Sequence, residues 1–427
     1  MVIEGGRVID PAGGVDGAYD LLLEGGAVRA FEKPGALRSR EAGRRIDARG
    51  CWVVPGLIDV HCHLREPGYE YKETVATGTA AAVAGGFTAV ACMANTNPVN
   101  DSAAVTRFIL ERAAEARLAR VYPIGALSQG LRGERLAEIG EMCAAGIVAV
   151  SDDGEPVADG ALMRRALEYC AMFGLPVIDH AEDPGLVAGG AMHEGRTSLR
   201  LGLRGIPAAA EEAMVGRDLL LAELTGGRLH VAHASTRGTV EQLRAAKARG
   251  VHVTAEVTPH HFTLTDEAVA EYDGNAKMNP PLRTAEDREA LRQALADGTI
   301  DVIATDHAPH HRDEKEVEFE SAAFGIVGLE TALPLSLRLV EEGVLSATDW
   351  VRKISMEPAR MLRVAGGTLR VGVPADVAVV DPVREWRVEP AALRSKSKNS
   401  PFLGWTMKGR AVYTLVGGRV VHEEPNR

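Results

Sequence analysis

The sequence predicts a (β/α)8 TIM-type barrel carrying a small β-sandwich domain assembled from both chain ends. Three observations lead there. The chain has 427 residues, room for a barrel of about 250 residues or more and a smaller domain beside it. Between about Trp52 and Arg363, short β-branched or apolar runs alternate with alanine-, leucine- and glutamate-rich stretches of helical period. The two ends resemble each other: Gly5-Gly6-Arg7-Val8-Ile9 near the start, Gly417-Gly418-Arg419-Val420-Val421 near the finish.

Around those matching ends lie short alternating segments, Asp20 to Leu23, Ala27 to Phe31, Asp376 to Val380 and Ala411 to Val416, separated by glycine turns. They read as one β domain, residues 1–52 and 364–427, with the catalytic barrel at residues 53–363 inserted between its halves. Eight strands are expected in the barrel: Val53 to Val60, Thr88 to Met93, Val121 to Ala126, Ile147 to Val150, Pro176 to Asp179, Leu229 to Ala232, Val251 to Glu256, and Ile300 to Ala304. Helical stretches follow most of them, among them Ala103 to Arg117, Ala161 to Phe173, Ala209 to Leu224 and Val240 to Arg249. A doubly wound open sheet is the alternative arrangement of such units.

Composition narrows the function. Hydrophobic residues make up 46% and charged residues 25%, the balance of a globular protein. The net charge of -11 is scattered, with no basic run, which argues against a nucleic-acid partner. An acidic protein that takes an anionic substrate needs a local cationic pocket. No apolar run has spanning length and no signal segment opens the chain, so a cytoplasmic protein without a membrane partner is expected. The five cysteines, Cys51, Cys62, Cys92, Cys143 and Cys170, lack framework spacing and read as reduced thiols.

Polar residues stand just past the expected strands. The first strand runs into His61-Cys62-His63-Leu64-Arg65, the second into Asn95, and the fourth into Ser151-Asp152-Asp153-Gly154. His180 follows the fifth, His233 the sixth, and Asp306-His307-Ala308-Pro309-His310 the eighth. In a barrel all of these lie at the C-terminal mouth, where active sites are built. His61 and His63, two apart on a strand, face one way and can share a metal. By itself that pair is equally a hydrogen-bonded strand end. Four further strand ends carrying His180, His233, Asp153 or Asp306 favour the metal. Four histidines and two carboxylates suit two zinc ions, with a carboxylate able to bridge them. Asp152 and Asp153 compete for that bridge, and strand alternation lets only one reach it.

The run Pro55-Gly56-Leu57-Ile58-Asp59-Val60-His61-Cys62-His63 resembles the opening motif of the amidohydrolase superfamily. His63-Leu64-Arg65-Glu66-Pro67-Gly68, Met93-Ala94-Asn95-Thr96, Asp179-His180-Ala181-Glu182, Thr305-Asp306-His307-Ala308-Pro309-His310 and Asn399-Ser400-Pro401-Phe402 are together similar to the class I dihydroorotases. The resemblance runs over nearly the whole chain. It implies a zinc-dependent hydrolase of cyclic amides that interconverts N-carbamoyl-L-aspartate and (S)-dihydroorotate in pyrimidine (UMP) synthesis. It implies one zinc held by His61, His63 and Asp306, and a second held by His180 and His233, bridged by Asp153. Many relatives use a carboxylated lysine as the bridge; Ala149-Val150-Ser151-Asp152-Asp153 contains none. Asp306 would be the acid/base residue. Arg65, Asn95 and His310 would bind the substrate carboxylate, Asn279 the ring, and the backbone of Phe324 and Gly325 the remaining ring atoms. Gly325 fits that role, since glycine lets a backbone approach a ligand closely.

Two rivals stay open at this level. A hydantoinase, dihydropyrimidinase or allantoinase shares fold and metals but opens another ring. A non-catalytic scaffold for aspartate transcarbamoylase would have lost metal ligands, whereas all six positions are filled here. A homodimer and an active complex with the transcarbamoylase are compatible with the sequence. His230 and His252 read as strand-interior residues, His193, His311 and His422 as structural, and His260 and His261 as neighbours of the site. The stretch 311–325 reads equally as a cover over the substrate and as an ordinary long loop.

Overall fold

The computed structural model describes residues 1–425. Its barrel strands are Leu57–Cys62, Phe87–Cys92, Arg120–Pro123, Val177–Asp179, Leu229–Val231, Val253–Val257 and Val302–Ile303. All neighbouring pairs among them are parallel. The ring closes through single parallel bridges, Gly125 to Val150, Val150 to Val177, and Cys62 to His307. The protein is thus an α/β barrel with a small β domain, as the alternating pattern predicts.

Three strand expectations need correction. Ile147 to Val150 does not form an extended strand; only Val150 pairs, and the fourth stave is that one bridge. Val53 to Val60 is two strands, Trp52–Pro55 in the small domain's sheet and Leu57–Cys62 in the barrel. Gly56 separates them, because a Cβ there would lie 2.1 Å from Thr88 of the second barrel strand. The seventh strand begins at Val253, leaving His252 exposed ahead of it rather than inside.

The small domain is an eight-stranded sheet in the order Arg419–Glu423, Thr406–Val416, Val377–Arg387, Trp52–Pro55, Val2–Asp10, Val15–Glu24, Ala27–Glu32, with Arg45–Asp47 also pairing Val2–Asp10. The chain ends meet where Val377–Arg387 pairs antiparallel with Trp52–Pro55. Its core includes Ile3, Val8, Leu21, Val53, Val377, Val379 and Leu415.

The barrel has two apolar layers, and strand alternation sorts residues between them. Val90, Val121, Val150, Val177, Val231 and Ile303 pack outward with helical residues such as Met163, Val215, Leu243 and Leu291. Val60, Ala91, Ile124, Ala149, Ile178, Ala232 and Val302 pack inward with Met361 and Leu362. The inner layer fills the barrel beneath the mouth, leaving the polar strand ends grouped on one side of it. Fully burying one such aliphatic side chain contributes about 1.5–3 kcal/mol. No helix among the described residues is long and apolar enough to cross a membrane.

Candidate active site

The strand ends bring six side chains into one buried cluster. His61, His63, Asp153, His180, His233 and Asp306 are each at most 5% exposed. His61 Nε2 lies 3.3 Å from Asp153 Oδ1 and 3.4 Å from Asp306 Oδ1. His63 Nε2 lies 3.1 Å from Asp306 and 3.5 Å from Asp153. On the other side, Asp153 Oδ1 is 3.4 Å from His233 Nε2 and 3.6 Å from His180 Nδ1. Asp153 therefore stands between the two histidine pairs. Asp152 turns away, accepting the Leu127 and Ser128 amides at 2.8 and 2.9 Å.

Electrostatics say what the cluster wants. Burial works against charge on His180, yet Asp153 and Glu182 hold its pKa up at about 10. Burial likewise opposes charge on His61, and Asp153, Asp306 and Glu256 more than offset it. Asp153 and Asp306 are held well below the usual carboxylate range; burial pushes them up, but the surrounding histidines outweigh it. The carboxylates demand positive charge at this spot. His61 Nε2 and Asp153 Oδ1 are buried without a hydrogen-bond partner, an arrangement that costs free energy unless something else occupies them. Three overlapping sets meet the spacing for a cation: His61, His63 and Asp153; His61, His233 and Asp306; and Asp153, His180 and His233, their donor atoms within 4.8 Å of one another. Imidazole and carboxylate donors so placed fit a divalent metal.

Sequence reasoning missed what lies behind the histidines. Glu256, wholly buried on Val253–Val257, accepts from His61 Nδ1 at 2.6 Å and His230 Nε2 at 3.0 Å. Burial would raise its pKa, but His61 and His230 bring it to about 2. Its carboxylate fixes the His61 tautomer so that Nε2 faces the cluster. His230, taken for a plain strand residue, is part of this support, and a glutamate amid strand residues was the available signal. Asn95 does the same for His63, accepting from Nδ1 at 2.9 Å.

A cavity of about 210 Å³ opens beside the cluster. Its lining includes Arg65, Asn95, Asn279, His310 and Phe324 along with the metal-facing residues. The Arg65 guanidinium donates to Pro309 O at 3.2 Å, and its Nη2 lies 3.3 Å from His310 Nε2. No carboxylate pairs with it among the described residues. The neighbouring carboxylate in sequence, Glu66, accepts the Val75 amide instead of pairing with it. The His310 ring faces Arg65 on one nitrogen and Lys72 on the other. Burial, Arg65, Lys72 and Lys315 drive its pKa down to about 2, so it is neutral. This wall supplies the local cationic field that an acidic chain requires. Asn279 donates to Glu182 at 3.1 Å, and its Oδ1 is buried without a partner.

Gly325 lies behind the lining; its amide donates to Lys277 O at 3.0 Å, and its carbonyl accepts from Lys315 Nζ at 2.9 Å and Asn399 Nδ2 at 3.0 Å. Both backbone polar groups are used within the protein. The close approach that demands glycine is to Ala308 and His310, since a Cβ at this φ of 149° would lie 2.7 Å from each.

Comparison with known proteins places these features among relatives. The Dihydro-orotase-like family matches residues 50–239 and the Amidohydrolase family residues 203–422. A protein named dihydroorotase from Syntrophotalea carbinolica is 57% identical over 422 residues, 99% of both chains. Another from Anaeromyxobacter dehalogenans is 59% identical over 426 residues, 99% of this chain and 98% of its own. In three dimensions the chain is similar to the L-hydantoinase (dihydropyrimidinase) from Arthrobacter aurescens, with a TM-score of 0.89 and 27% identity over 100% of this chain and 96% of that one.

Proposed function

This chain belongs to the dihydroorotase family of the amidohydrolases, and we propose that its cluster and cavity carry out the reversible cyclisation of N-carbamoyl-L-aspartate to (S)-dihydroorotate with release of water. It is a hydrolase of cyclic amide C–N bonds. The observation that carries the choice of substrate is the Arg65 guanidinium, set in the cavity wall beside the His/Asp cluster with no carboxylate of its own. Dihydroorotate brings one; hydantoin and dihydrouracil do not. A guanidinium and a carboxylate meet through two parallel hydrogen bonds.

We assign the metals as two zinc ions. His61, His63 and Asp306 would hold one, His180 and His233 the other, with Asp153 shared. Divalent ions there supply Lewis acidity, polarising a carbonyl oxygen and making hydroxide available near neutral pH. The chain's own residues do the rest. Arg65, flanked by Asn95 and neutral His310, anchors the substrate carboxylate. Asn279 and Phe324, both in the cavity lining, would contact the ring. Asp306 holds the proton. In hydrolysis it takes a proton from the attacking water and delivers it to the ring nitrogen as the C–N bond breaks. In synthesis the ureido nitrogen attacks the carboxyl carbon, Asp306 accepts its proton and passes it to the departing carboxylate oxygen, and that oxygen leaves as water with a second proton taken from solvent.

The test is loss of dihydroorotate ultraviolet absorbance with zinc-loaded protein, run beside hydantoin and dihydrouracil. Turnover of dihydroorotate alone supports the reading. Turnover of the uncharged rings instead moves the protein to the hydantoinase branch. If none reacts with zinc bound, the scaffold role remains, and the assay with a transcarbamoylase present decides it. Light scattering of the same sample tests the homodimer.

A further inference from the structure

The segment 393–402, between two strands of the small domain, runs along the loops of the barrel mouth and is tied to them by successive hydrogen bonds. Glu330 accepts the Arg394 and Ser395 amides at 2.7 and 3.1 Å. Glu73, fully buried, accepts the Lys396 amide at 3.0 Å and the Ser395 hydroxyl, while also facing His307 Nε2 at 3.3 Å. Ser397 Oγ donates to Lys72 O at 2.7 Å. The strap ends on Asn399, 4% exposed, whose side chain makes three hydrogen bonds. Its Nδ2 donates to Ala308 O and to Gly325 O, both at 3.0 Å, and its Oδ1 accepts the His310 amide at 3.0 Å. Its own carbonyl accepts the Val327 amide at 2.9 Å.

Those partners form the cavity wall. Ala308 and His310 line the cavity, and between them Pro309 offers the carbonyl on which Arg65 Nε rests. Asn399 therefore grips the segment 308–310 on both sides of the carbonyl that orients the guanidinium, and pins it to Gly325. Nothing in the chemistry above uses Asn399 directly. We propose that Asn399 is a positioning residue: it sets the Ala308-Pro309-His310 wall so that Arg65 meets the substrate carboxylate, making the small domain's strap part of the substrate pocket. The inference rests on the carboxylate-anchor reading of Arg65.

The physics favours asparagine. Two donors and one acceptor at fixed angles satisfy two carbonyls and one amide, and no other side chain of that length offers this combination. Alanine would leave buried groups short of partners and free the wall to shift, and displacement of an anchoring group by an ångström is enough to cost activity. Aspartate would keep the acceptor for the His310 amide but set a second oxygen against two carbonyls.

The experiment uses the zinc-loaded full chain with Asn399→Ala, Asn399→Asp and Asn399→Ser, the last keeping a small polar group should alanine fail to fold. KM for dihydroorotate should rise about tenfold, with kcat within about threefold of the parent and bound metal unchanged. Aspartate should be at least as damaging as alanine. The decisive readout is coupling: in an Arg65→Met background, Asn399→Ala should add little to KM, because the guanidinium it positions is gone. A full-sized KM effect in that background overturns the proposal, as does an unchanged KM in the single variant. Amide exchange at residues 308–310 and 325–327 should accelerate in Asn399→Ala, and unchanged protection also overturns it. That last measurement needs no substrate, so it separates failure of this proposal from failure of the dihydroorotase reading, which wild-type inactivity toward dihydroorotate would reveal.

Discussion

Replacing Arg65 by methionine tests the substrate assignment at its root. The side chain keeps its length and apolar stem but loses a cation that the protein leaves without a carboxylate. Hydrogen bonds to charged groups are worth about 1.5–3 kcal/mol each. A bidentate contact with the substrate carboxylate therefore stands to lose about 3–5 kcal/mol, or about 10²- to 10⁴-fold in kcat/KM. Most of that should appear in KM, since the carboxylate is remote from the bond being broken. Turnover of dihydrouracil, which has no carboxylate, should change less than tenfold, so the preference for dihydroorotate should collapse. Stability should move the other way. Arg65 is partly buried and burial lowers its pKa, so removing a cation with no carboxylate partner should leave the melting temperature unchanged or raised. The assay is steady-state kinetics on both substrates with a melting curve for each protein. Equal loss on the two substrates would refute the anchor role, as would dihydroorotate kinetics close to wild type.

Asp306→Asn should lower kcat by about 10²- to 10⁴-fold while calorimetry still detects bound dihydroorotate; near-normal turnover would remove Asp306 from the proton path. Glu256→Gln leaves His61 Nδ1 with a weaker partner and should weaken zinc binding by about 10- to 100-fold in competition with a chelator; unchanged affinity would reduce Glu256 to packing. Glu330 gives a pH prediction. Burial raises its pKa from 4.5 to about 7, with the Arg394 and Ser395 amides opposing. The folded state thus binds the extra proton between those values, and the stability from that site falls as pH rises through the window. Glu330→Gln should match wild type in unfolding free energy near pH 4.5 and exceed it at pH 8 by at most about 3 kcal/mol, read from denaturant unfolding curves; a difference independent of pH would contradict the assignment.

How much of this could be read from the chain depended on the range of the interaction. His61, His63, His180, His233, Asp153 and Asp306 were legible because each follows a short apolar run, and the barrel puts all such positions on one face. Alternation let only one of Asp152 and Asp153 reach the cluster without saying which, and the family resemblance pointed to Asp153; the Leu127 and Ser128 amides hold Asp152 turned away. The fourth stave misled because Ile147 to Val150 has strand composition, yet its pairing stops at one residue. The break at Gly56 was hidden inside an apolar run, since its cause is the Thr88 side chain, distant in sequence. Glu256, His230 and Asn399 needed the register of strands and the path of the C-terminal strap before their partners could be known. At Gly325 the sequence signals a close approach without naming what approaches; within the protein it is Ala308 and His310.

The similarity in three dimensions to a hydantoinase at 27% identity shows why the fold could not decide the substrate. Barrel, ligand positions and small domain are compatible with several cyclic amides. What separates them lies in backbone that the barrel itself does not dictate. Arg65, His233 and Asp306 all have positive φ, at 62°, 31° and 44°, a region that costs non-glycine residues of order 1–3 kcal/mol each. Each is held there from outside its own strand: Arg65 by Pro309, His233 by Glu256 accepting its amide at 3.2 Å, and the stretch before Asp306 by Asp59, which accepts the Thr305 amide at 2.9 Å. A chain that settled into unstrained backbone at these points would keep the barrel and lose the alignment of guanidinium, metal ligands and proton carrier. On the carboxylate-anchor reading, the preference for dihydroorotate therefore rests on one of these strand ends, Arg65, and on the Pro309 carbonyl that holds it.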